Sequence, residues 1–400
     1  MSLLKFNSNN LLLGTTVFAG FAIPVSTAAQ NISAALILIC LFVTLQDWHK
    51  VKEACKKIFP LIGLILGVLL AAGTFWSSAD PANAWRFFLK MRAYYLAPAF
   101  LVFFSNKKIR NYFLTSFAIA TCTTVILSCL SALFNYPIFK AIIGDWYIFR
   151  THTYHNFFAA LLGAGLLSIL IEKKLSTMYR FFLLLMLLLV SYNILFLVAG
   201  RTGQIAYLSM MFMILILWKW RFGLVIGIVM ILSFMILLPK YSSTFDFGIK
   251  SAESDWTAYS NGNSNTSVGL RLEWQQNSIR LIREKPFFGH GTGSFEGEYA
   301  RQIGSNDKLL ASQNPHNDYL WLSVELGVMG GLLLLGLLLS AAWQGRYLLP
   351  TWKWSLYALL LGMGVSTLAN SFFTDNITGL AFVLLTCALL NGPDSKNQYS

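Results

Sequence analysis

The amino-acid sequence predicts an all-α integral membrane protein with about twelve transmembrane helices and one long extramembrane loop that contains short amphipathic helices. Of the 400 residues, 56% are apolar and 12% are charged, whereas soluble domains carry about 25% charged residues. So few charges cannot cover the surface of a soluble globule of this size. Disorder is excluded as well, because disordered chains are polar and poor in aromatic residues.

Apolar runs long enough to cross a bilayer divide the chain into three parts. Residues 1–239 contain nine predicted transmembrane helices, residues 240–318 form the long loop, and residues 319–400 contain three more helices and a short tail. The predicted spans lie near residues 11–28, 32–47, 59–75, 92–104, 111–133, 156–171, 181–198, 204–218, 222–239, 319–341, 354–371 and 377–392. Because twelve is an even number, both termini are predicted on the same side of the membrane.

The basic residues predict which side that is. The tails and connecting segments of one face carry sixteen lysines and arginines, including Lys5 and Lys396, and the short loops of the opposite face carry six. Short loops rich in lysine and arginine stay in the cytoplasm, so both termini are predicted to be cytoplasmic and the long loop to face outward. The net charge of +13 would indicate nucleic-acid binding in a soluble protein. Here it reflects topology, and no nucleic-acid partner is expected.

Other classes of chemistry find little support in the sequence. Ionisable residues are nearly absent from the middle of the first nine predicted spans, which argues against ion-coupled transport. The chain has no G-x-x-x-x-G-K-S/T motif for ATP. Its five histidines form no helical pair typical of a metal site, so neither a metal nor another cofactor is expected. The glycine-rich residues 289–294 are either a turn with close backbone contacts or an amide cradle for a phosphate.

Arginines on the predicted outward face are candidate anion ligands. Arg201 lies between two spans too close together to leave a loop. There it is either a snorkelling interfacial residue or a phosphate anchor. Further along, apolar residues recur at helical spacing from residue 267 and Pro286 ends the pattern, which predicts an amphipathic helix. Arg271 lies near the N-terminus of that helix, where backbone N–H groups favour an anion. Arg280 is explained as well by a solvated helix face.

His316 and Asn317 directly precede the tenth predicted span. An imidazole changes charge near pH 6.5 and can act as a general base, although the histidine could also serve only to cap the helix. Because Arg201, Arg271 and His316 all lie at the predicted outward face, we expect them to form one site there. In it the arginines would bind a lipid-linked diphosphate and the histidine would deprotonate an acceptor hydroxyl.

The order of these motifs resembles the O-antigen ligase family, whose core also occurs in O-antigen polymerases and O-linked oligosaccharyltransferases. The His316-Asn317 pair is followed by Gly327 and Gly330 at the spacing of the family, and residues 286–295 resemble its P-x-x-G-x-G segment.

Further elements of the resemblance precede the histidine motif. Ser267 and Arg271 resemble the S-x-x-x-R helix of the family, and Trp274 falls one residue earlier than is usual there. Arg201 resembles the arginine at the membrane boundary, and residues 153–159 resemble an outer segment. The pattern covers about residues 195–340.

The resemblance implies a metal-independent, inverting transferase in the bacterial inner membrane, surrounded by membrane lipids. Such an enzyme moves a preassembled glycan en bloc from undecaprenyl diphosphate to a sugar hydroxyl of lipid A-core, and its active site lies on the periplasmic side, in the long loop. It also implies that His316 is the general base and that Arg201 and Arg271 bind the diphosphate. Further candidate substrate-binding residues, chosen mainly for their charge at the outward face, are Lys90, Arg92, Arg150, His155, Arg280 and Asn317.

Two alternative interpretations stay open at this point. A glycan polymerase or a protein O-oligosaccharyltransferase of the same superfamily shares the motif. The protein-directed members generally carry an additional C-terminal outer domain, and the present sequence ends eight residues after the last predicted span. A lipid-glycan flippase is the second alternative, and it would require charged residues along helices at mid-membrane depth. The sequence does not predict an oligomeric state.

Overall fold

The computed structural model describes residues 8–44, 48–304 and 312–395, and within these ranges the protein is helical without a β-strand. The α-helices in chain order are α1 (Ser8–Val25), α2 (Thr27–Thr44), α3 (His49–Cys55), α4 (Ile58–Gly73), α5 (Pro81–Lys90), α6 (Arg92–Tyr95), α7 (Ala97–Phe103), α8 (Lys107–Leu133), α9 (His152–Glu172), α10 (Thr177–Tyr192), α11 (Arg201–Trp218), α12 (Trp220–Tyr241), α13 (Ser243–Ser260), α14 (Ser267–Glu284), α15 (Phe295–Ile303), α16 (Asp318–Leu326), α17 (Val328–Gln344), α18 (Pro350–Ser366) and α19 (Asn376–Leu390). A π-helix, Asn193–Leu197, continues α10. Lys5, Lys396 and loop residues 305–311 lie outside the described ranges.

Within the described residues, six helical segments are long and apolar enough to cross a membrane. They are Thr27–Thr44, Lys107–Leu133, His152–Glu172, Thr177–Leu197, Arg201–Trp218 and Trp220–Tyr241. Helices α3 and α4 would form a seventh span if they are counted together, although they meet at a bend of 82°. Three shorter apolar helices are Asn10–Val25, Val328–Gln344 and Asn376–Leu390. This architecture is consistent with an integral membrane protein, as the composition predicts.

Within the described residues, each of the twelve predicted spans overlaps at least one helix, but not all are single long helices. The span predicted at residues 92–104 consists of the short helices α6 and α7, and the one predicted at 319–341 is divided into α16 and α17 at Gly327. Gly327 has a φ of 71°, in the left-handed region, where glycine is favoured because it has no Cβ. The prediction of twelve spans therefore exceeds the six helices that reach spanning length.

The described part of the predicted outer loop contains three complete helices, α13, α14 and α15. Helix α14 begins at Ser267 and ends at Glu284, where the apolar spacing and Pro286 predict it. The hydroxyl of Thr266 caps this helix by accepting a hydrogen bond from the amide N–H of Gly269, with an N–O distance of 3.1 Å. Helix α13 is not anticipated by the sequence pattern, and it packs between α12 and α14.

Helix α9 lies inside the bundle and packs against α8, α10, α11 and α18. Its buried side chains include polar ones, such as His155 and Asn156. Helix α19 is buried along almost its whole length, whereas α12 exposes large apolar side chains such as Phe222 and Val225. Helices α9 and α19, which lie next to the site described below, are therefore well packed inside the protein.

Candidate active site

Arg201 and Arg271 line the same cavity, although they are 70 positions apart in the chain. This arginine cavity has a volume of about 590 Å³. Its other lining residues are Ile143, Gly144, Asp145, His152, Thr153, Ala199, Gly200, Thr202, Phe247, Gly248, Ser251, Ser267 and Asn370. It thus lies where the N-terminal ends of α9, α11 and α14 meet α13. Helix N-termini present unpaired backbone N–H groups, so this cavity suits an anion.

Arg201 is the first residue of α11, and its position depends on close packing of the preceding turn. Gly200 approaches α9 so closely that a Cβ there would lie 3.0 Å from the carbonyl oxygen of His152 and 2.8 Å from Nδ2 of Asn156. The same amide of Asn156 donates a hydrogen bond to the carbonyl oxygen of Val198 at 3.1 Å. The Nη1 atom of Arg201 donates to the carbonyl oxygen of Gly248 at 3.3 Å. Its guanidinium is therefore held at the cavity with donors to spare for a ligand.

Arg271 is half-buried in the first turns of α14. Burial lowers the pKa of its guanidinium, the nearby charge of Arg201 lowers it further, and Asp255 acts in the opposite direction. The repulsion that the charge of Arg201 exerts on Arg271 is relieved when an anion binds between the two guanidinium groups. A diphosphate is such an anion, and a guanidinium can bind it through two parallel hydrogen bonds.

His316 lies in a strained turn just before α16. Its φ of 51° is in the left-handed region, which is uncommon for a residue with a Cβ. Its amide N–H donates to Oδ1 of Asn314 at 3.0 Å, and its ring stacks on Trp274 of α14 with 5.2 Å between the ring centroids. Strained residues held in this way often occur at functional sites.

The protonation of His316 suits a general base. Burial lowers the pKa of its imidazole below the ordinary value of histidine, the positive charge of Arg271 lowers it further, and a hydrogen bond with Asn370 acts in the opposite direction. The neutral ring, which can accept a proton, is therefore the main form at neutral pH.

A second cavity, the histidine cavity, contains His316 and adjoins the arginine cavity. It has a volume of about 240 Å³ and is lined by Thr151, Thr153, Tyr154, Asn314, His316, Asn370, Ser371, Phe372 and Asp375. Thr153 and Asn370 line both cavities. The Nδ2 atom of Asn370 also donates to Oγ1 of Thr202 at 2.7 Å, next to Arg201. The candidate base and the candidate anion ligands thus belong to adjoining parts of one site.

Asn317 and Asp318 fix the position of this turn. The Oδ1 atom of Asn317 caps α16 by accepting from the amide of Leu320, and its Nδ2 donates to the carbonyl oxygen of Leu368. The buried carboxylate of Asp318 accepts from the amide of Phe373 and the hydroxyl of Thr374, both at 2.6 Å. These contacts attach the start of α16 to the segment between α18 and α19, where Asn370 lies.

Three of the predicted substrate-binding residues make contacts inside the protein. His155 is buried, and its Nε2 lies 2.9 Å from Oδ1 of Asn193. Arg92 donates to Asn31 at 2.6 Å and to the carbonyl oxygen of Leu89 at 2.9 Å. Arg150 donates to Thr27, Gln30 and the carbonyl oxygen of Ile23. None of the three lines the arginine cavity or the histidine cavity.

Lys90 and Arg280 also lie apart from the two cavities. Lys90 is stacked 4.8 Å from the ring centroid of Trp321 and lines a third cavity of about 180 Å³, which shares Asn314 with the histidine cavity. Arg280 is exposed on α14 and donates to Oδ1 of Asn277 at 3.0 Å, as the solvated-face interpretation predicts.

The glycine-rich residues 289–294 surround a carboxylate of the protein itself. The buried side chain of Glu325 accepts hydrogen bonds from the amides of Gly293, Ser294 and Phe295 and from Nε1 of Trp321. The backbone of Gly293 has a φ of 79° and lies against α5. The interpretation as a turn with close backbone contacts therefore describes this segment better than that of a phosphate cradle.

Replacing Glu325 by alanine should destabilise the protein by about 3 kcal/mol or more, because each buried N–H left without an acceptor costs about 1–3 kcal/mol. Thermal unfolding of the purified protein in detergent, followed by circular dichroism, measures the effect. Glu296→Ala, which removes an exposed carboxylate from the same segment, is the matched control and should leave the transition unchanged. If both variants unfolded at the same temperature, the buried carboxylate of Glu325 would not stabilise the glycine-rich segment.

Several residues of the site were not predicted as site residues from the sequence. Asp145, His152 and Asn370 line the arginine cavity, and Trp274 stacks on His316. The only sequence signal for Asn370 is its polarity at the end of an apolar run. His152 is distinguished from His155 only in the structure, since both lie at the start of α9.

Comparison with known families matches one segment of the chain, which contributes part of this site. Residues 183–335 match the O-antigen ligase family. The matched segment contains Arg201, Arg271 and His316, and it confirms the resemblance that the motifs predict. It supports a place in the O-antigen ligase/polymerase superfamily, whose members are glycosyltransferase-type enzymes.

A protein of Haemophilus influenzae, named only as an uncharacterized protein, is 30% identical over 149 residues. The aligned part covers 35% of the present chain and 37% of that protein. This similarity concerns a little more than a third of either chain and adds no activity to the family match.

Proposed function

We propose that the protein is an O-antigen ligase of lipopolysaccharide biosynthesis. It would transfer a preassembled glycan en bloc from undecaprenyl diphosphate to a sugar hydroxyl of lipid A-core. The observation that carries the proposal is the pair of adjoining cavities, one with Arg201 and Arg271 and the other with His316, joined by Asn370 and Thr153. The proposal includes an inner-membrane location with both termini in the cytoplasm and the site on the periplasmic face.

The arginine cavity would bind the diphosphate of the donor. Its volume of about 590 Å³ lies within the range of small-ligand sites, about 300–1,000 Å³. It therefore has room for a diphosphate and the adjoining sugar, while the lipid chain extends along the helices. Guanidinium groups stabilise the negative charge that develops on the leaving diphosphate, so the mechanism requires neither a metal ion nor ATP.

The histidine cavity would receive the acceptor hydroxyl. The acceptor oxygen attacks the anomeric carbon of the donor sugar and its proton passes to the neutral imidazole of His316. The bond between the anomeric carbon and the phosphate oxygen breaks, and its electron pair stays on undecaprenyl diphosphate. A single displacement of this kind inverts the anomeric configuration. Lys90 is proposed to contact the acceptor beyond this point, because its cavity shares Asn314 with the histidine cavity.

Removing the charge of Arg271 should raise the pKa of His316, because that charge opposes protonation of the imidazole. In Arg271→Gln, the pH at which His316 reacts half-maximally with diethyl pyrocarbonate should move upward, because the charge that lowers the pKa of the imidazole is removed. Mass spectrometry of the peptide that contains His316 measures the reaction directly. Arg271→Lys and Arg280→Gln are controls that should keep the wild-type profile, and an unshifted profile in Arg271→Gln would contradict the electrostatic coupling.

Deletion of the gene in its own bacterium distinguishes the ligase from the polymerase of the same superfamily. Loss of a ligase leaves lipid A-core without any O-chain while polymerised glycan accumulates on undecaprenyl diphosphate. Loss of a polymerase leaves lipid A-core bearing a single repeat. Gel electrophoresis of lipopolysaccharide shows which of the two occurs, and the single-repeat pattern would overturn the proposal.

A further inference from the structure

A histidine–aspartate pair lines the arginine cavity and has no part in the chemistry described so far. The Nδ1 atom of His152 lies 3.0 Å from Oδ2 of Asp145, and both residues line the cavity together with Arg201 and Arg271. The side chain of His152 is 44% exposed and that of Asp145 is 14% exposed, so the histidine is open to a ligand while the carboxylate is mostly covered.

Asp145 is hydrogen-bonded to the turn that precedes Arg201. Its Oδ1 atom accepts a hydrogen bond from the amide of Ala199 at 3.0 Å, two residues before Arg201. The adjoining amide of Trp146 donates to the carbonyl oxygen of Leu197 at 3.1 Å. The carboxylate therefore holds the imidazole and the arginine turn in one arrangement, which is how outer carboxylates orient a functional histidine.

The charged and titratable groups around His152 come from several elements. Asp145 and Tyr147 lie on the loop before α9, and the ring of Tyr147 meets the imidazole edge-on at 5.9 Å. Arg201 enters from α11 and Arg271 from α14, while His155 is buried one turn along α9. Helix α13 contributes the uncharged Phe247, Gly248 and Ser251 to the cavity. The acidic member of this set, Asp145, is already bound to the histidine.

We propose that His152, oriented by Asp145, is a third cationic ligand of the donor diphosphate, beside Arg201 and Arg271. This inference rests on the proposed function. When Nδ1–H is donated to Asp145, Nε2 can donate to a phosphate oxygen only if the ring is protonated. The two histidines of the site thus have different roles. His316 takes the proton of the acceptor hydroxyl, and His152 in its protonated form donates to the diphosphate and stabilises the electron pair left there.

The test is the pH dependence of binding of a symmetrical dimethyl diphosphate diester to the full-length protein in detergent, measured by calorimetry. This probe lacks the second phosphate ionisation near pH 6, so its own charge stays constant. Wild-type affinity should rise about ten- to hundredfold as the pH falls from about 8 to 5, the range in which histidine changes charge. His152→Gln should hold the weaker affinity at every pH, and Asp145→Asn should lose most of the rise.

A conservative variant separates this role from a structural one. His152→Lys should bind the diester with nearly constant affinity between pH 5 and 8, at close to the acid-pH level of the wild type, because an ammonium stays charged there. If His152→Gln keeps the wild-type pH dependence while Arg201→Gln and Arg271→Gln weaken binding, the inference about His152 is wrong and the proposed function stands. If neither arginine variant weakens binding of the diester, the proposed function itself fails.

Discussion

Glycan transfer by the His316→Gln variant should be slower than that of the wild type by about two to four orders of magnitude, the usual contribution of a general base. Glutamine keeps a polar side chain of similar reach but cannot accept the proton of the acceptor hydroxyl. Because His316 lines the histidine cavity and not the arginine cavity, the affinity for the donor should change little. Initial rates with purified protein, donor and acceptor measure kcat and KM separately.

A control for His316 must exclude simple unfolding, since its backbone has a positive φ and its ring supports Trp274. The thermal transition of His316→Gln should lie close to that of the wild type. His49 lies far from His316 in the sequence and has an exposed side chain, so His49→Gln should retain full activity. Full transfer by His316→Gln, with a normal transition, would show that another group accepts the proton.

Arg201→Lys and Arg271→Lys should each lower kcat/KM by about ten- to hundredfold. Lysine keeps the positive charge but loses the planar fork that binds a phosphate through two hydrogen bonds, and a charge-assisted hydrogen bond contributes about 1.5–3 kcal/mol. Since both arginines are proposed to bind one diphosphate, their effects should be coupled, and the double variant should deviate from additivity. Steady-state kinetics with varied donor concentration measure these values.

Arg280→Lys is the matched control for the arginine variants, because it changes the same side chain on the exposed face of α14. It should transfer glycan at the wild-type rate. Wild-type kinetics in Arg201→Lys would reduce Arg201 to an interfacial residue that only snorkels to the membrane surface. The same result in Arg271→Lys would remove the second arginine from the site.

The sequence predicts the helices well because their signals are local. The apolar spacing and Pro286 define α14 (Ser267–Glu284), and apolar runs define α9 and α11. Interruptions of the spans are harder to anticipate. Gly327 lies within an apolar run and has a positive φ, and a Cβ there would lie only 2.6 Å from the carbonyl oxygen of Pro286. Gly327 and Pro286 are 41 positions apart, so the hydrophobic periodicity of the sequence cannot predict their contact.

Which of the charged candidate residues line the arginine cavity was only partly predictable. Arg201 and Arg271, the predicted anion ligands, both line it, whereas Arg92 and Arg150 donate to partners inside the protein. Arg92 and Arg150 are bound by acceptors that are distant in the sequence, such as Asn31 and the carbonyl oxygen of Ile23. The roles of Asn370 and Asp145 also depend on contacts across the bundle, to Thr202 and Ala199.

The most direct measurement is glycan transfer by the purified protein in lipid vesicles that contain polymerised glycan on undecaprenyl diphosphate and lipid A-core, with excess EDTA. The expected result is transfer of the whole glycan to lipid A-core in one step, with release of undecaprenyl diphosphate and with the rate unaffected by the chelator. Longer glycans on undecaprenyl diphosphate without product on lipid A-core, or a strict requirement for Mg²⁺ or Mn²⁺, would contradict a metal-independent ligase.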